Sequence, residues 1–118
     1  LKNMKKYIII GKNSQETAAS MINKPQNRRE IVEPLVKSFN AEFNEFLYLN
    51  SPDFDFMCVI SGQNDEDIAA ACNLIYASGS FSTINWFRAF EASEWKSVYE
   101  IASNKMANYV SAKQASQE

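Results

Sequence analysis

Histidine is absent from this sequence of 118 residues, and glycine, proline and cysteine are scarce. The lack of histidine removes the commonest general base, the commonest metal ligand and the usual proximal ligand of haem. With only three glycines there is no glycine-rich phosphate loop, and no metal-binding spacing or Ser-His-Asp set is present. We therefore expect no metal, no haem and no other redox cofactor.

Concentrated positive charge and long apolar runs are also missing. The net charge is −2, and the one basic cluster, Lys24 with Arg28 and Arg29, is followed by glutamates, which is typical of a solvated helix start. No apolar run approaches the length of a transmembrane helix. Cys58 and Cys72 lie in apolar surroundings and are expected to be buried thiols rather than a disulfide. We expect a cytoplasmic protein that binds neither nucleic acid nor membrane.

The most informative segment that is present runs from residue 54 to residue 60, because it is apolar on both faces of any strand. Side chains alternate along a strand, so Phe54, Phe56, Cys58 and Ile60 point one way, whereas Met57 and Val59 point the other. A sheet with one wet face would alternate apolar with polar residues. Both faces therefore need a cover, which helices provide on one side and a second copy of the chain could provide on the other.

Periodicity predicts strands at about 6–11, 42–49, 54–61 and 81–90, and helices at about 14–23, 26–39, 65–79 and from 93 onward. Ser14, Asn64 or Asp65, and Ser93 are the expected helix caps, and Pro34 is expected to kink or shorten its helix. This order predicts an α+β ferredoxin-like βαββαβ antiparallel sheet with an extra C-terminal helix. The single domain spans residues 4–112, Met4 is the expected natural start, and residues 113–118 form a polar tail.

The face of the sheet without helices is predicted to be aromatic. We expect Tyr48, Phe54, Phe56 and Trp86 to lie there, in a patch too large for a monomer to expose. Packing of two sheets across a two-fold axis, which gives a homodimer, is the first solution. The alternative is that the last helix, whose apolar stripe includes Trp95 and extends to residue 109, folds over the same face.

Three segments of the chain form a recognisable set: residues 7–11, residues 54–60, and residues 88–90 with the acidic and aromatic pair that follows at 94–95. In these segments the chain resembles the GYD-domain family, small ferredoxin-like proteins of the dimeric α/β-barrel group. The Gly-x-Tyr-Asp segment of the family matches residues 52–55: Asp55 is kept, Phe54 retains the ring, and Pro52 replaces the glycine. The resemblance implies a dimer of facing sheets. Related barrel proteins include cofactor-free monooxygenases, haem-degrading enzymes and ligand-sensing domains, so it implies no single activity.

Two charged residues are the candidates for chemistry. Arg88 shares a strand face with Ile84 and Trp86, and it either contacts an anion or carbonyl of a ligand or forms an ion pair with Asp55 or a glutamate. Asp55 either acts as a desolvated general base or accepts a backbone N–H bond at a turn. Trp86 either stacks on a ligand or packs in the core, and Tyr48 either bonds a ligand or packs with its hydroxyl in water.

These residues lead to three functional hypotheses. The first is a homodimeric module that binds or senses a small apolar or aromatic molecule in a pocket formed by Tyr48, Phe54, Phe56, Trp86 and Arg88. The second is a cofactor-independent monooxygenase or isomerase that acts on an aromatic or enolisable substrate, with Asp55 as base and Arg88 steadying an oxyanion. The third is a structural dimer that presents its outer helices to a partner protein.

Overall fold

The structure is a computed structural model and describes residues 4–117. Residues 1–3, which precede the expected start at Met4, lie outside the described residues, as does Glu118. The strands are β1 (Lys5–Asn13), β2 (Glu42–Tyr48), β3 (Phe56–Gly62) and β4 (Phe81–Ala89). The helices are α1 (Gln15–Asn23), α2 (Arg28–Ser38), α3 (Asp65–Ala77), α4 (Ala92–Ser103) and α5 (Ala112–Ser116), with a 3-10 turn at Met106–Asn108.

The four strands form one antiparallel sheet in the order β2-β3-β1-β4. β1 pairs with both β3 and β4, and β2 pairs with β3. The consecutive strands β2 and β3 are neighbours, as the short connection between them predicts. Helices α1 and α2 connect β1 to β2, and α3 connects β3 to β4. This is the predicted ferredoxin-like α+β fold, with additional helical structure at the C-terminus.

Helices α1, α2 and α3 cover one face of the sheet, and the buried core lies between them and the strands. The core residues of the strands are Tyr7, Ile9, Phe43, Phe56, Cys58 and Ile60, and those of α2 and α3 are Val36, Ile68 and Cys72. The opposite side, which we call the open face, carries Ile8, Ile10, Leu47, Met57, Val59 and Phe87. Both sides of the two inner strands are therefore apolar, as expected.

The prediction that the aromatic patch lies on the face without helices is wrong. Phe56 is 4% exposed and lies in the helix-covered core. Tyr48 pairs directly with Phe56, and Trp86 pairs with Ile9, so both rings share that covered face. Alternation assigns residues to two opposite sides, but it does not say which side receives the helices when both are apolar.

Side-chain caps begin the first and third helices at the expected positions. The Ser14 Oγ accepts a hydrogen bond from the Thr17 backbone N–H, and the Asn64 Oδ1 accepts one from that of Asp67 at 2.9 Å. The prediction that Ser93 caps the C-terminal helix is wrong, because the N-cap of α4 is Glu91, two residues earlier. There Glu91 and Glu94 bond each other's backbone N–H in a capping box.

The C-terminal segment extends away from the sheet instead of covering it. None of the residues of α4 is buried, and Tyr99 is 68% exposed. The chain is 66 Å long in its longest dimension, and its radius of gyration of 19.2 Å exceeds the roughly 13 Å of a compact chain of this length. The predicted continuous stripe is interrupted after Ser103, and the predicted polar tail contains most of α5. Within residues 4–117, none of the helices combines the length and apolarity that crossing a bilayer requires.

Candidate ligand-binding site

A cavity of about 340 Å³ lies between the sheet and the three covering helices. Ile9, Phe56 and Cys58 of the inner strands line it on the sheet side, and Val32 and Cys72 line it from α2 and α3. The interior of a folded domain has few voids larger than a water molecule. A space of this size falls instead in the range of small-molecule sites.

Loose packing of the first two helices leaves this space. No residue of α1 is buried, and Val36 is the one buried residue of α2. Ile22 of α1 is 82% exposed, so the helix directs an apolar residue to solvent. The two helices are short and separated by residues 24–27, and their apolar side chains do not fill the volume above β2 and β3.

Aromatic rings form one wall of the cavity. Phe46 lies with its ring centroid 5.4 Å from that of Tyr48 and 5.8 Å from that of Phe56, and Phe56 lies 4.9 Å from Phe81. Gly11 allows the Phe56 ring to lie against β1, because a Cβ there would be 2.7 Å from the ring and 2.6 Å from the backbone oxygen of Thr83. The wall offers flat apolar surface to a ligand.

A few polar groups complete the lining, including those of Asn13, Thr17, Arg28 and Tyr48. Arg28 is half-buried, and its Nη1 donates a hydrogen bond to the Oε1 of Gln26 at 2.9 Å. Tyr48 is 59% exposed, and partial burial raises the pKa of its phenol, an effect that the charge of Arg28 opposes. Tyr48 was a predicted ligand contact, and it lines the cavity together with Phe56.

The two cysteines line the cavity as protonated thiols. Burial raises the pKa of Cys58 to about 12 and that of Cys72 to about 11, so neither is a thiolate at neutral pH. Both are buried and free, as the sequence predicts. Within residues 4–117 no cluster of three or more acidic or cysteine side chains is arranged to hold a metal ion. The two thiols therefore contribute to the lining as small apolar groups.

The opposite end of the covered face is closed by polar contacts. Tyr7 is fully buried, and its hydroxyl donates a hydrogen bond of 2.7 Å to the Oδ1 of Asp65. Burial, with that hydrogen bond, raises the pKa of Tyr7 to about 12. Trp86 packs at 6.0 Å from Tyr7, and the guanidinium of Arg88 lies 5.9 Å from the same ring. We call Tyr7, Asp65, Trp86 and Arg88 the closed end.

Arg88 forms an ion pair with a glutamate, one of the alternatives that the sequence left open. Its Nη2 lies 3.1 Å from the Oε2 of Glu94, and its Nη1 donates to the backbone oxygen of Ala89. The guanidinium also lies 4.2 Å from the centroid of the Phe90 ring. Arg88 does not line the cavity, and neither does Trp86.

Asp55 accepts a backbone hydrogen bond, which was the alternative to its role as a base. Its Oδ2 accepts from the Asn13 N–H at 2.8 Å, and its own N–H donates to the Gly11 oxygen at 2.7 Å. Arg88 pairs with Tyr7, four residues from Gly11 along β1, a distance of about 13 Å. Asp55 and Arg88 therefore do not face one small substrate. Phe54, half-buried in the turn, does not line the cavity.

Sequence reasoning missed Arg28 and the bond between Tyr7 and Asp65. Arg28 was interpreted as part of a solvated helix start, yet it stands four and eight residues before Val32 and Val36. That spacing puts Arg28 on the apolar face of α2, and this signal was readable in the sequence. The partner of Tyr7 is distant in sequence and carried no comparable signal.

Comparison with protein families shows that the family model of the GYD domain matches residues 7–99. The match includes most of β1, all of β2 to β4 and most of α4, and it ends before the last two short helical elements. A comparison with curated proteins found no match.

Proposed function

This chain belongs to the GYD domain family, and on that premise we propose that it binds a small apolar or aromatic molecule inside its own fold. The observation that carries the proposal is the cavity of about 340 Å³ between the sheet and the helices. Its lining is mainly aliphatic and aromatic, with a few polar groups such as those of Asn13 and Tyr48. This combination is typical of sites that bind small molecules.

Binding or sensing is better supported than catalysis. A proton-transfer enzyme needs a group within hydrogen-bond reach of its substrate that can accept a proton near neutral pH. Among the described residues that line the cavity there is no aspartate or glutamate, and both cysteine thiols have raised pKa values. Asp55, the base in the enzymatic hypothesis, is held by the Asn13 N–H outside the lining.

A cavity-filling substitution tests the binding proposal. In Ala71→Leu the larger side chain projects from α3 into the lining, whereas Ala70→Leu makes the same change at an exposed position of that helix. We expect decanol, an uncharged apolar probe, to raise the melting temperature of wild type and of Ala70→Leu but not of Ala71→Leu. Calorimetric titration measures the affinities. Equal binding of decanol to the two variants would contradict the site, as would no binding to wild type.

We also propose a homodimer in which the open faces of two copies pack together. The open face carries apolar side chains on all four strands, and Phe87 is 52% exposed there. It also carries Glu45 on β2 and Lys6 on β1, so the surface bears both charge signs and is suited to a two-fold contact with itself. Packing between sheets is an established way to bury such a face.

Light scattering over a dilution series tests this dimer. Val59 is at the middle of the open face and pairs with Ile8, so we expect Val59→Glu to turn a dimer into a folded monomer. Ile22→Glu is the matched control, because Ile22 is 82% exposed on α1, in the opposite layer. A wild-type protein that remains monomeric at the highest concentration would contradict the proposal. Retention of the dimer by a folded Val59→Glu variant would do the same.

A further inference from the structure

The charge in the cavity lining is all of one sign. Arg28 is the one residue with a formal charge at neutral pH among the described residues that line the cavity. Lysine, aspartate and glutamate are missing from that lining, and Tyr48, Cys58 and Cys72 have pKa values raised by burial. A ligand inside the cavity therefore meets apolar surface, a few neutral polar groups and a single positive charge.

No carboxylate of the described residues forms an ion pair with Arg28. Its guanidinium donates to the neutral side chain of Gln26, and none of the ion pairs found within residues 4–117 involves it. The neighbouring Arg29 differs, since its guanidinium lies over the Phe43 ring and donates to the Phe43 oxygen. Arg88 is paired with Glu94. Among these three arginines, Arg28 alone lines the cavity.

A second donor lies in the same lining. Tyr48 also lines the cavity and is 59% exposed, and the charge of Arg28 opposes the rise in the pKa of its phenol that burial causes. A phenol donates one hydrogen bond and a guanidinium can donate two in parallel. Together they match a carboxylate or a similar planar anion.

We propose that the cavity takes a monoanionic amphiphile, with its apolar chain or ring against Phe46 and Phe56 and its anionic head at Arg28 and Tyr48. This inference rests on the proposed function and names the ligand class for the same cavity. An ionised head is accommodated because it stays at the partly exposed rim, where water still reaches it, while the apolar body enters the dry interior. A cationic head would face Arg28 and be repelled.

The test uses three probes with the same chain and different heads: decanoate, decanol and decylamine. Calorimetric titration of the full chain at neutral pH should give the order decanoate, then decanol, then decylamine. A charge-assisted contact at a partly exposed rim corresponds to about a tenfold preference for decanoate over decanol. Arg28→Gln should abolish this preference, so that the variant binds decanoate no more tightly than decanol.

Lys37→Gln is the matched control, because it removes the same charge from an exposed position of the same helix. It should retain the preference for decanoate. Equal affinities of wild type for decanoate and decanol would overturn the inference and leave the proposed cavity standing. Loss of the preference in Lys37→Gln as well as in Arg28→Gln would also overturn it, because net charge would then explain the effect. Failure of all three probes to bind would contradict the proposed function itself.

Discussion

The two ends of the helix-covered face differ in how their polar groups are partnered. At the closed end the Tyr7 hydroxyl donates to Asp65 and Arg88 is paired with Glu94. At the cavity end Arg28 lines an open space and donates only to a neutral glutamine among the described contacts. Groups that satisfy each other's hydrogen bonds stabilise a fold, whereas the charge of Arg28 beside the cavity is the basis of the ligand class that we propose. The predicted site residues divide between these two ends.

The unfilled volume differs in the same direction. A Cβ added at Gly62, beside the closed end, would be 3.0 Å from the Cδ1 of Ile68 and 3.5 Å from the Tyr7 ring. This is closer than most side-chain contacts, so the space there is full. At the cavity end about 340 Å³ remains unfilled between the same sheet and the same helical layer. The sheet itself is crowded at both ends, since a Cβ at Gly11 would be 2.7 Å from the Phe56 ring of the cavity wall, so the difference between the ends is the volume left beneath the helices.

The largest expected effect comes from an aromatic truncation at the closed end. Tyr7→Ala removes a fully buried ring, and we expect it to lower the free energy of unfolding by about 3–5 kcal/mol. Phe46→Ala is the corresponding truncation at the cavity end, where Phe46 is partly buried beside existing free volume. We expect it to cost less than half as much. Urea unfolding of both variants measures the difference, and equal losses would contradict the contrast between the ends.

Tyr7→Phe separates the contribution of the buried ring to stability from that of its hydroxyl. It keeps the buried ring and removes the hydrogen bond to Asp65, a loss of about 1 kcal/mol. The exposed carboxylate of Asp65 can then bond water, so no buried acceptor is left unsatisfied. A loss in Tyr7→Phe as large as that in Tyr7→Ala would mean that the polar contact, rather than the packing, stabilises the closed end.

Much of the fold was predictable because apolar patterns indicate the elements along the chain and the side chains that share a face, and connection rules then limit the strand order. Alternation along β4 put Trp86 and Arg88 on one face and Phe87 on the other, and the register confirms this. The choice of the covered face was not predictable from β3, since both its faces are apolar. Gly11 and Gly62 carried a weak signal, because both face the helices at positions where a side chain would be crowded.

The candidate site was less predictable, because it depends on what the helices fail to fill. Sequence patterns indicate which residues are apolar, but an unfilled volume arises from the lengths and tilts of α1 and α2, which no local pattern specifies. Tyr48 and Phe56 were identified as ligand contacts from their aromatic character, and both line the cavity. Arg88 was preferred over Arg28 because strand alternation is easier to recognise than a charged residue on a helical stripe.

The smallest expected effect concerns the pH dependence of stability that arises from the ion pair between Glu94 and Arg88. The Glu91 backbone N–H, and then the Arg88 side chain, hold the pKa of Glu94 below its usual value of 4.5. A carboxyl with a lowered pKa in the folded state stabilises the fold above its unfolded pKa, and this contribution disappears as the pH falls through the folded value. Glu94→Gln should therefore be slightly less stable than wild type at pH 7 and equal to it in strong acid, as measured by urea midpoints.

Arg88→Ala should reduce the same pH dependence and leave decanol binding intact, because Arg88 does not line the cavity. A loss of decanol binding in a folded Arg88→Ala variant would mean that the two ends act as one site.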